Sequence, residues 1–339
     1  MSNIININCD DIIQQTNLSK ISNKNILITG AGGLIGLHIV NTISRLYQNN
    51  TVVCITNNSP DNIFSKFFKN TTLIVEDLTT LIDNKKFNKK YRLYFDIIIH
   101  AAGYGQPSKF INNKIKTITL NTEVTKKLFS LLKSDGIFLF CSTSELYSGF
   151  DQEQICENNI GTTLPDHPRS CYIESKRCGE AICHTMADQF GIQSKIARIS
   201  LAYGPGTKKD DTRVLNNIIQ KALISKKIEL LDDGSSIRTY GYITDIVKMI
   251  FNIMLYGKEV VYNISGISKI SVLDLANIVG QITNCKVILP KENKSLLGNP
   301  KTVNLSLDRY INEFGNPIFV NIENGLKSTI LWQKEIYNA

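Results

Sequence analysis

A tyrosine and a lysine stand four residues apart in the stretch RSCYIESKR, at Tyr172 and Lys176. On a helix, residues at this spacing lie on one face, so the phenol and the ammonium would be neighbours. An unperturbed phenol has a pKa of about 10, and a nearby ammonium stabilises the phenolate and lowers that pKa. The pair can therefore form a general base, although an ordinary amphipathic surface pair has the same spacing and is the commoner meaning of an isolated motif.

A glycine triplet gives a second chemical signal. The stretch ITGAGGLIG places Gly30, Gly33 and Gly36 at GxxGxxG spacing, between a short apolar run and a segment with helical periodicity. Gly30 allows a tight turn, Gly33 lets backbone amides approach a pyrophosphate, and Gly36 lets helix and strand pack closely. At a strand-to-helix junction the triplet favours a dinucleotide site over a plain turn.

Apolar runs alternate with amphipathic segments along the first two thirds of the chain. The runs predict strands at residues 25–30, 51–57, 71–78, 95–103, 136–143 and 194–205. Continuous apolar strands that alternate with helices are typical of a parallel sheet covered on both faces. The predicted fold class is α/β, a Rossmann-type doubly wound parallel sheet with a smaller mixed α/β C-terminal segment that binds substrate.

The alternation also divides the chain into three segments. Residues 25–205 form the predicted dinucleotide-binding domain, and residues 206–339 a smaller substrate-binding domain interleaved with it. Helices are expected in that second segment near 213–225, 243–256, 271–282 and 321–332. Residues 1–24 precede the first core strand and form an N-terminal extension, for which we expect a polar helical arm.

Composition narrows the functional classes. The 339 residues are 42% hydrophobic and 20% charged, which suits a globular protein with a large core. The net charge of +8 is scattered without an arginine-rich stripe, so no nucleic acid is expected as a partner. No apolar stretch approaches about 18 residues and no leader pattern opens the chain, so we expect a cytoplasmic protein without a membrane span. The eight cysteines lack a CxxC pair, His100 and His167 lack metal-ligand spacing, and no metal is predicted.

Four ordered motifs now resemble one family. The glycine triplet, HAAG at 100–103, STSELY at 142–147 and the Tyr172/Lys176 pair resemble the extended short-chain dehydrogenase/reductases, the NAD-dependent epimerase/dehydratase family, over roughly residues 24–335. STSELY, RSCYIESKR and DDGSSIRTYGYITDIV look most like the UDP-glucuronate decarboxylases and the related nucleotide-sugar dehydratases and 4-epimerases. The resemblance also implies a homodimer built from two helices of each subunit, here around 115–133 and 173–190.

The resemblance assigns roles to particular residues. It implies that Tyr172 takes a proton from a sugar hydroxyl, that Lys176 also binds the nicotinamide ribose, and that Thr143 hydrogen-bonds the reacting oxygen. Arg213 would contact the nucleotide, and Arg238 the phosphates and the reacting sugar, although an ion pair with Asp232 or Asp233 is an alternative for Arg238. The cofactor contacts implied are Gly30, Gly33, Leu34, Ile35, Gly36, Asp77, Leu78, Ala101, Ala102 and Lys176. His100 is expected to be part of the loop that faces the cofactor.

Ser144 and Glu145 bear on which reaction follows. Relatives that eliminate water carry an Asp-Glu pair at these positions, and a serine cannot readily replace the aspartic acid. Loss of CO₂ from a 4-keto-uronic acid needs no such acid, and the order Thr143, Ser144, Glu145 resembles the decarboxylases. The alternative is that Ser144 and Glu145 only cap the turn that follows.

Two positions depart from the family pattern. Leu201 stands where the relatives have an asparagine that contacts the substrate. At the end of the second strand, Thr56, Asn57 and Asn58 provide neither the acid that holds the ribose of NAD nor an arginine for the 2′-phosphate of NADP. We expect NAD, because a cofactor that is reduced and reoxidised within one turnover need not draw on the NADPH pool, with NADP as the alternative.

These observations predict an enzyme that acts on a nucleotide sugar through C4 oxidation by NAD. Decarboxylation of UDP-glucuronate is the leading reaction, with 4-epimerisation and 4,6-dehydration as alternatives, and bacterial surface-polysaccharide synthesis is a natural setting for the family. A hypothesis of another class is a non-catalytic dinucleotide-binding sensor or scaffold. Such a protein need not keep Tyr172, Lys176 and Thr143 together, which favours the enzyme.

Overall fold

The computed structural model describes residues 3–46, 49–150, 154–290 and 304–338. A seven-stranded sheet lies at its centre. Numbered along the chain, its strands are β1 (Asn25–Thr29), β2 (Thr51–Thr56), β3 (Thr72–Val75), β4 (Phe95–His100), β5 (Leu132–Thr143), β6 (Gln193–Ile199) and β10 (Val261–Ile264).

All neighbouring strands of this sheet are parallel, in the order β10, β6, β5, β4, β1, β2, β3. The chain runs outward from β1 to β3 on one side and from β4 to β6 on the other. The strand order therefore reverses between β1 and β4. In parallel sheets, ligands bind beyond the carboxyl ends of the strands at this reversal.

Fourteen helices are described, and they cover both faces of the sheet. They are α1 (Asn3–Gln15), α2 (Leu34–Arg45), α3 (Asn62–Ser65), α4 (Leu78–Leu81), α5 (Lys85–Tyr91), α6 (Pro107–Asn112), α7 (Lys114–Thr119), α8 (Thr125–Leu128), α9 (Ser170–Phe190), α10 (Val214–Ile224), α11 (Ile243–Tyr256), α12 (Val272–Thr283), α13 (Asp308–Phe314) and α14 (Ile322–Asn338). A π-helical turn at Leu120–Val124 joins α7 to α8. In the described part of the chain, no helix is both long and apolar enough to cross a bilayer.

The two faces of the sheet are buried by alternating residues. Ile26 and Ile28 of β1 belong to an apolar cluster that includes Leu37 of α2, whereas Leu27 belongs to a second cluster that includes Val124. Successive side chains of a strand point to opposite faces, so both faces of β1 are packed. The predicted doubly wound parallel sheet is confirmed.

The N-terminal extension forms a helix, but the expectation of a polar arm is wrong. Ile5, Cys9 and Ile12 of α1 are fully buried, because their spacing gives the helix one apolar stripe that packs against α2 and α11. Arg45 of α2 donates from Nε to Asp10 Oδ1 at 2.9 Å and fixes the helix in place. The extension is therefore part of the core.

The predicted strand at 194–205 is divided in two. β6 ends at Ile199, Ser200 N donates to Ile264 O at 2.9 Å, and the chain then leaves the sheet. Beyond that point β7 (Leu201–Tyr203) forms a second sheet with β9 (Ile237–Tyr242) and β11 (Ser268–Ser271), and β8 (Lys227–Glu229) pairs with β12 (Lys286–Ile288). β10 comes from beyond residue 205 and joins the central sheet, so the two predicted segments share one sheet. The domain boundary at 205 stays a prediction.

Candidate active site

The glycine loop joins β1 to α2. Gly30 has a φ of 67°, and a β-carbon there would lie 2.5 Å from the carbonyl oxygen of Ala101. A β-carbon on Gly36 would lie 2.4 Å from Gly30 O. Both positions therefore require glycine, and Gly33 immediately precedes the first turn of α2. The loop leaves the N-terminal amides of α2 open to an anionic ligand.

A cleft of about 370 Å³ opens at this loop, and we call it the cofactor cleft. It lies where the strand order of the sheet reverses. All the predicted cofactor residues except Lys176 line it, namely Gly30, Gly33, Leu34, Ile35, Gly36, Asp77, Leu78, Ala101 and Ala102.

Lys176 lies directly behind this lining. Its Nζ donates to the carbonyl oxygen of Cys141 at 2.7 Å and lies 4.5 Å from the centre of the Phe140 ring. A β-carbon on Gly103 would be 3.7 Å from Nζ, and Cys141 and Gly103 both line the cofactor cleft. Burial lowers the pKa of Lys176 to about 8. The predicted ribose contact stays a prediction.

Asp77 has two partners at the other end of the cofactor cleft. Its carboxylate accepts a hydrogen bond from Thr79 N at 3.0 Å, which caps α4, and it forms an ion pair with Lys116. Burial acts to raise the pKa of Asp77, but Lys116 and Thr79 outweigh burial and lower it. The carboxylate is thus held in place beside the cleft.

His100 does not face the cofactor cleft, contrary to our expectation for the HAAG stretch. Its ring is fully buried, with Nδ1 2.7 Å from Thr29 Oγ1 and Nε2 3.1 Å from Leu120 O. Burial lowers the pKa of His100 to about 3, so the imidazole is neutral and structural. Among the described residues, no group of three or more His, Cys, Asp or Glu side chains could hold a metal ion.

Tyr172 and Thr143 meet at the carboxyl end of β5. Thr143 is close enough to act on the pKa of Tyr172, and the Tyr172 ring stacks on Phe110 with centroids 4.7 Å apart and planes 2° apart. Burial raises the pKa of Tyr172 to about 12, although Thr143 acts to lower it. Lys176 is not among the leading influences on this pKa, and its ammonium donates to Cys141 O. The expectation that Lys176 lowers the pKa of Tyr172 is therefore not met in this arrangement.

A second cleft of about 420 Å³ adjoins the first. Gly105, Ala202 and Arg213 line both clefts, so the two are continuous at these residues. The predicted reaction and substrate residues that line the second cleft are Ser144, Glu145, Arg213 and Arg238. The structure therefore brings the predicted substrate residues together next to the cofactor cleft.

Glu145 is paired with an arginine that the sequence analysis missed. Arg169 donates from Nε to Glu145 Oε2 at 2.9 Å and makes a second contact through Nη2. Thr143 caps the short turn that follows β5, since its Oγ1 accepts from Glu145 N at 3.2 Å. The available signal was the position of Arg169 in RSCYIESKR, three residues before Tyr172.

The two predicted substrate arginines have different surroundings. Arg213 donates from Nη2 to Asp211 Oδ2 at 2.5 Å, and that carboxylate is buried. Arg238 donates from Nη1 to Ile237 O at 2.8 Å, and burial lowers the pKa of its guanidinium. Asp232 and Asp233 accept hydrogen bonds from the backbone N–H groups of Gly234 and Ser235.

Leu201 lines the second cleft and makes its wall apolar where an asparagine was expected. The hydroxyl oxygens of Ser200 and Tyr240, which belong to residues lining the same cleft, are buried and have no hydrogen-bond partner within the described residues. Neither residue was predicted from the sequence as part of the site. Tyr240 stands two positions after Arg238, which was the available signal.

The parallel sheet, the glycine loop and the adjoining clefts define a protein that binds a dinucleotide beside a second ligand. A model of the NAD dependent epimerase/dehydratase family matches residues 26–265. The chain belongs to this family. NAD is the family's cofactor, and the glycine positions that leave no room for a β-carbon fit its pyrophosphate.

Curated relatives carry more specific names. UDP-glucuronic acid decarboxylase 1 of Xenopus tropicalis is 29% identical over 266 residues, which cover 78% of this chain and 62% of the relative. UDP-glucuronic acid decarboxylase 5 of Arabidopsis thaliana is 30% identical over 264 residues, which cover 78% of this chain and 76% of the relative. The chain thus spans less than two thirds of the length of the frog protein.

Solved structures share the fold. UDP-glucose 4-epimerase of Thermotoga maritima matches with a TM-score of 0.80 and 20% identity over 92% of this chain and 99% of its own. UDP-glucuronic acid 4-epimerase of Bacillus cereus, in complex with UDP-glucuronic acid and NAD, matches with a TM-score of 0.77 and 24% identity over 92% of this chain and 100% of its own. These similarities confirm the Rossmann-type architecture.

Proposed function

We propose that this chain is an NAD-dependent enzyme that oxidises C4 of a nucleotide sugar, and that its reaction is the decarboxylation of UDP-glucuronate. The observation that carries the proposal is that Tyr172 and Thr143 are neighbours at the carboxyl end of β5, where Cys141 lines the dinucleotide cleft and Ser144 and Glu145 line the second cleft. The names of the curated relatives support the choice of reaction.

Each residue of the site has a distinct task in this proposal. Tyr172 accepts the proton of the C4 hydroxyl, and Thr143 hydrogen-bonds the same oxygen and holds it near the phenol. Bound NAD supplies the hydride acceptor and a positive charge that favours loss of a proton in the site. Lys176, fixed by Cys141 O, contributes a second positive charge behind the cofactor cleft.

The substrate side of the site suits an anionic nucleotide sugar. Arg213 and Arg238 line the second cleft, and a planar guanidinium binds phosphate or carboxylate through two hydrogen bonds. Once the sugar carries a ketone at C4, the C5 carboxylate can leave as CO₂ because the ketone accepts the electrons. No acid is then required at Ser144, whereas water elimination would need one.

An epimerase of the same nucleotide sugar is the second candidate. It is supported by the similarity in fold to an enzyme whose structure contains UDP-glucuronic acid and NAD. A 4,6-dehydratase is disfavoured by Ser144, which lines the second cleft where an aspartic acid would be needed. A non-catalytic sensor would not require a buried tyrosine base beside Thr143.

Product masses distinguish these functions. The purified protein is incubated with UDP-glucuronate and NAD, and in parallel with neutral UDP-, dTDP-, GDP- and CDP-hexoses. Decarboxylation gives a nucleotide pentose that is roughly 44 mass units lighter than UDP-glucuronate, the mass of CO₂. An isomer of unchanged mass would indicate the epimerase, water loss from a hexose the dehydratase, and no conversion of any substrate the sensor.

A further inference from the structure

A lysine from the far part of the chain lies over the glycine loop. A β-carbon on Gly32 would be 3.7 Å from Lys208 Nζ and 3.4 Å from Thr56 Cγ2. Gly32, Thr56 and Lys208 all line the cofactor cleft. The ammonium is therefore held close to the glycine loop and to the end of β2, which is where sheets of this type bind the adenosine ribose of a dinucleotide.

The backbone that carries Lys208 is firmly anchored. The preceding residue, Thr207, is buried, its hydroxyl donates to Gly204 O at 2.8 Å, and its carbonyl accepts from Trp332 Nε1 at 2.9 Å. A β-carbon on Gly206 would lie 3.2 Å from the His38 ring, so the loop packs directly on α2. The position of Lys208 thus follows from packing, although its side chain is exposed.

Lys208 differs from the other cations of the cofactor cleft. Each of the others is paired with a carboxylate: Lys109 with Asp210 (2.8 Å), Lys116 with Asp77, and Arg213 with Asp211 (2.5 Å). Within the described residues, the ammonium of Lys208 has no ion pair and no hydrogen bond. The remaining carboxylate of the lining, Glu76, follows the neighbouring strand β3.

The end of β2 supplies hydrogen-bond donors and no carboxylate. Asn57 and Asn58 line the cofactor cleft, and each side chain carries an amide NH₂ group. The hydroxyl oxygen of Thr56 is buried and has no partner within the described residues. A carboxylate at the end of β2 would repel a phosphate on the ribose, but these amides and the hydroxyl would not.

We propose that the cofactor cleft also accepts a 2′-phosphorylated dinucleotide, NADP, and that Lys208 is the residue that binds the 2′-phosphate. Asn57 and Asn58, which follow β2 and line the same cleft, contribute further hydrogen-bond donors, although one N–H of Asn57 is directed to Asn58 Oδ1 at 3.2 Å. The inference concerns cofactor binding alone and holds whichever sugar reaction the protein catalyses.

The test measures dinucleotide binding by titration calorimetry on the nucleotide-free protein. For the unmodified chain, the dissociation constants for NADP⁺ and NAD⁺ should lie within about 30-fold of each other. Lys208→Gln should weaken NADP⁺ binding by about 10-fold or more, the effect of one charge-assisted hydrogen bond, and NAD⁺ binding by less than about 3-fold. If the dissociation constants of the unmodified chain for NADP⁺ and NAD⁺ differ by more than this, the proposal is overturned.

Matched variants distinguish binding of the 2′-phosphate from binding of the pyrophosphate. Lys209→Gln removes the same charge one residue on, where Nζ lies 5.7 Å from the Tyr337 ring, and should leave both affinities unchanged. Asn57→Asp should weaken NADP⁺ alone. If Lys208→Gln weakens both dinucleotides equally, Lys208 binds the pyrophosphate that they share, and the proposal fails. Adenosine 2′,5′-bisphosphate compared with AMP repeats the test without a pyrophosphate and should respond to Lys208→Gln in the same way as NADP⁺.

Discussion

Arg169 holds the carboxylate of Glu145 through two contacts on the wall of the second cleft, one of them 2.9 Å long. The guanidinium also lies 5.5 Å from the centre of the Phe110 ring, which stacks on Tyr172. Phe110 therefore packs against both the proposed base and the arginine that orients Glu145. A disturbance of this ion pair should lower turnover and should change NAD affinity much less.

Arg169→Lys tests that relationship. A lysine keeps the charge but loses the planar two-point contact, so Glu145 should be poorly positioned and turnover of UDP-glucuronate should fall by about 10-fold or more. NAD affinity, measured by calorimetry, should stay within about 2-fold. The control is Arg45→Lys, which disturbs a similar two-point pair with Asp10 far from both clefts and should leave turnover unchanged. Equal effects of the two variants would remove Arg169 from the site.

Tyr172→Phe tests the general base. The phenylalanine keeps the stacking on Phe110 but cannot accept a proton, so turnover should fall by at least about 100-fold while NAD still binds. Tyr310→Phe is the control, because the Tyr310 hydroxyl accepts from Asn252 at 2.7 Å, and neither residue lines a cleft. Unchanged turnover in Tyr172→Phe would make Tyr172 structural.

Gly33→Val tests the approach of the pyrophosphate. A β-carbon on Gly33 would lie 3.2 Å from Gly30 O, and the larger valine should cover the open amides at the start of α2. NAD affinity should fall by about 10-fold or more without unfolding of the sheet, as checked by calorimetry and circular dichroism. Gly191→Ala is the control, because a β-carbon there would meet no atom within 4 Å and Gly191 lines neither cleft, and it should leave the affinity within about 2-fold.

Lys176 should make the stability of the protein depend on pH. Its pKa is about 8 in the folded protein, against 10.5 for an unperturbed lysine. Below pH 8 the ammonium is charged in both states and its burial opposes folding. Between pH 8 and 10.5 the folded protein loses the proton first, so the unfolded chain binds more protons and stability rises with pH.

The comparison of Lys176→Met with the unmodified chain isolates this effect. Titrations of other groups largely cancel between the two proteins. The free energy of unfolding of the unmodified chain, relative to the variant, should rise from pH 8 to pH 10.5 by up to about 3 kcal/mol. Urea denaturation at several pH values measures it. If the free energies of unfolding of the two proteins change in parallel with pH, the lowered pKa of Lys176 is contradicted.

A homodimer is expected through the helices around 115–133 and 173–190. Ile115 and Ile118 stand three residues apart on α7 and are 78% and 40% exposed, and Ile111 of the preceding helix α6 is 38% exposed. Large apolar side chains grouped on a surface favour association. Light scattering should therefore show a dimer at micromolar concentration, and Ile115→Glu should shift it to monomer. Ile7→Glu, at an isoleucine of α1 that is 57% exposed, should leave the dimer intact. A monomeric unmodified chain would exclude this interface.

Local patterns in the sequence were sufficient for six of the seven strands of the central sheet and for the main elements of the site. The helix predicted at 243–256 is α11 (Ile243–Tyr256), and the glycine triplet lies at the β1–α2 junction as expected. Tyr172 and Lys176 lie on one helix, α9. Apolar periodicity, glycine spacing and residues four apart depend only on neighbours along the chain, so these features could be predicted.

Other features depend on contacts between residues that are distant in sequence. The ammonium of Lys176 donates to Cys141 O, and the burial of Tyr172 raises its pKa to about 12, so the charges of the site could not be inferred from the four-residue spacing. The pairing of Arg169 with Glu145 spans 24 positions, and Lys208 reaches Gly32 only because its loop packs on α2. Burial and partner choice depend on how the whole chain packs, which no local pattern specifies.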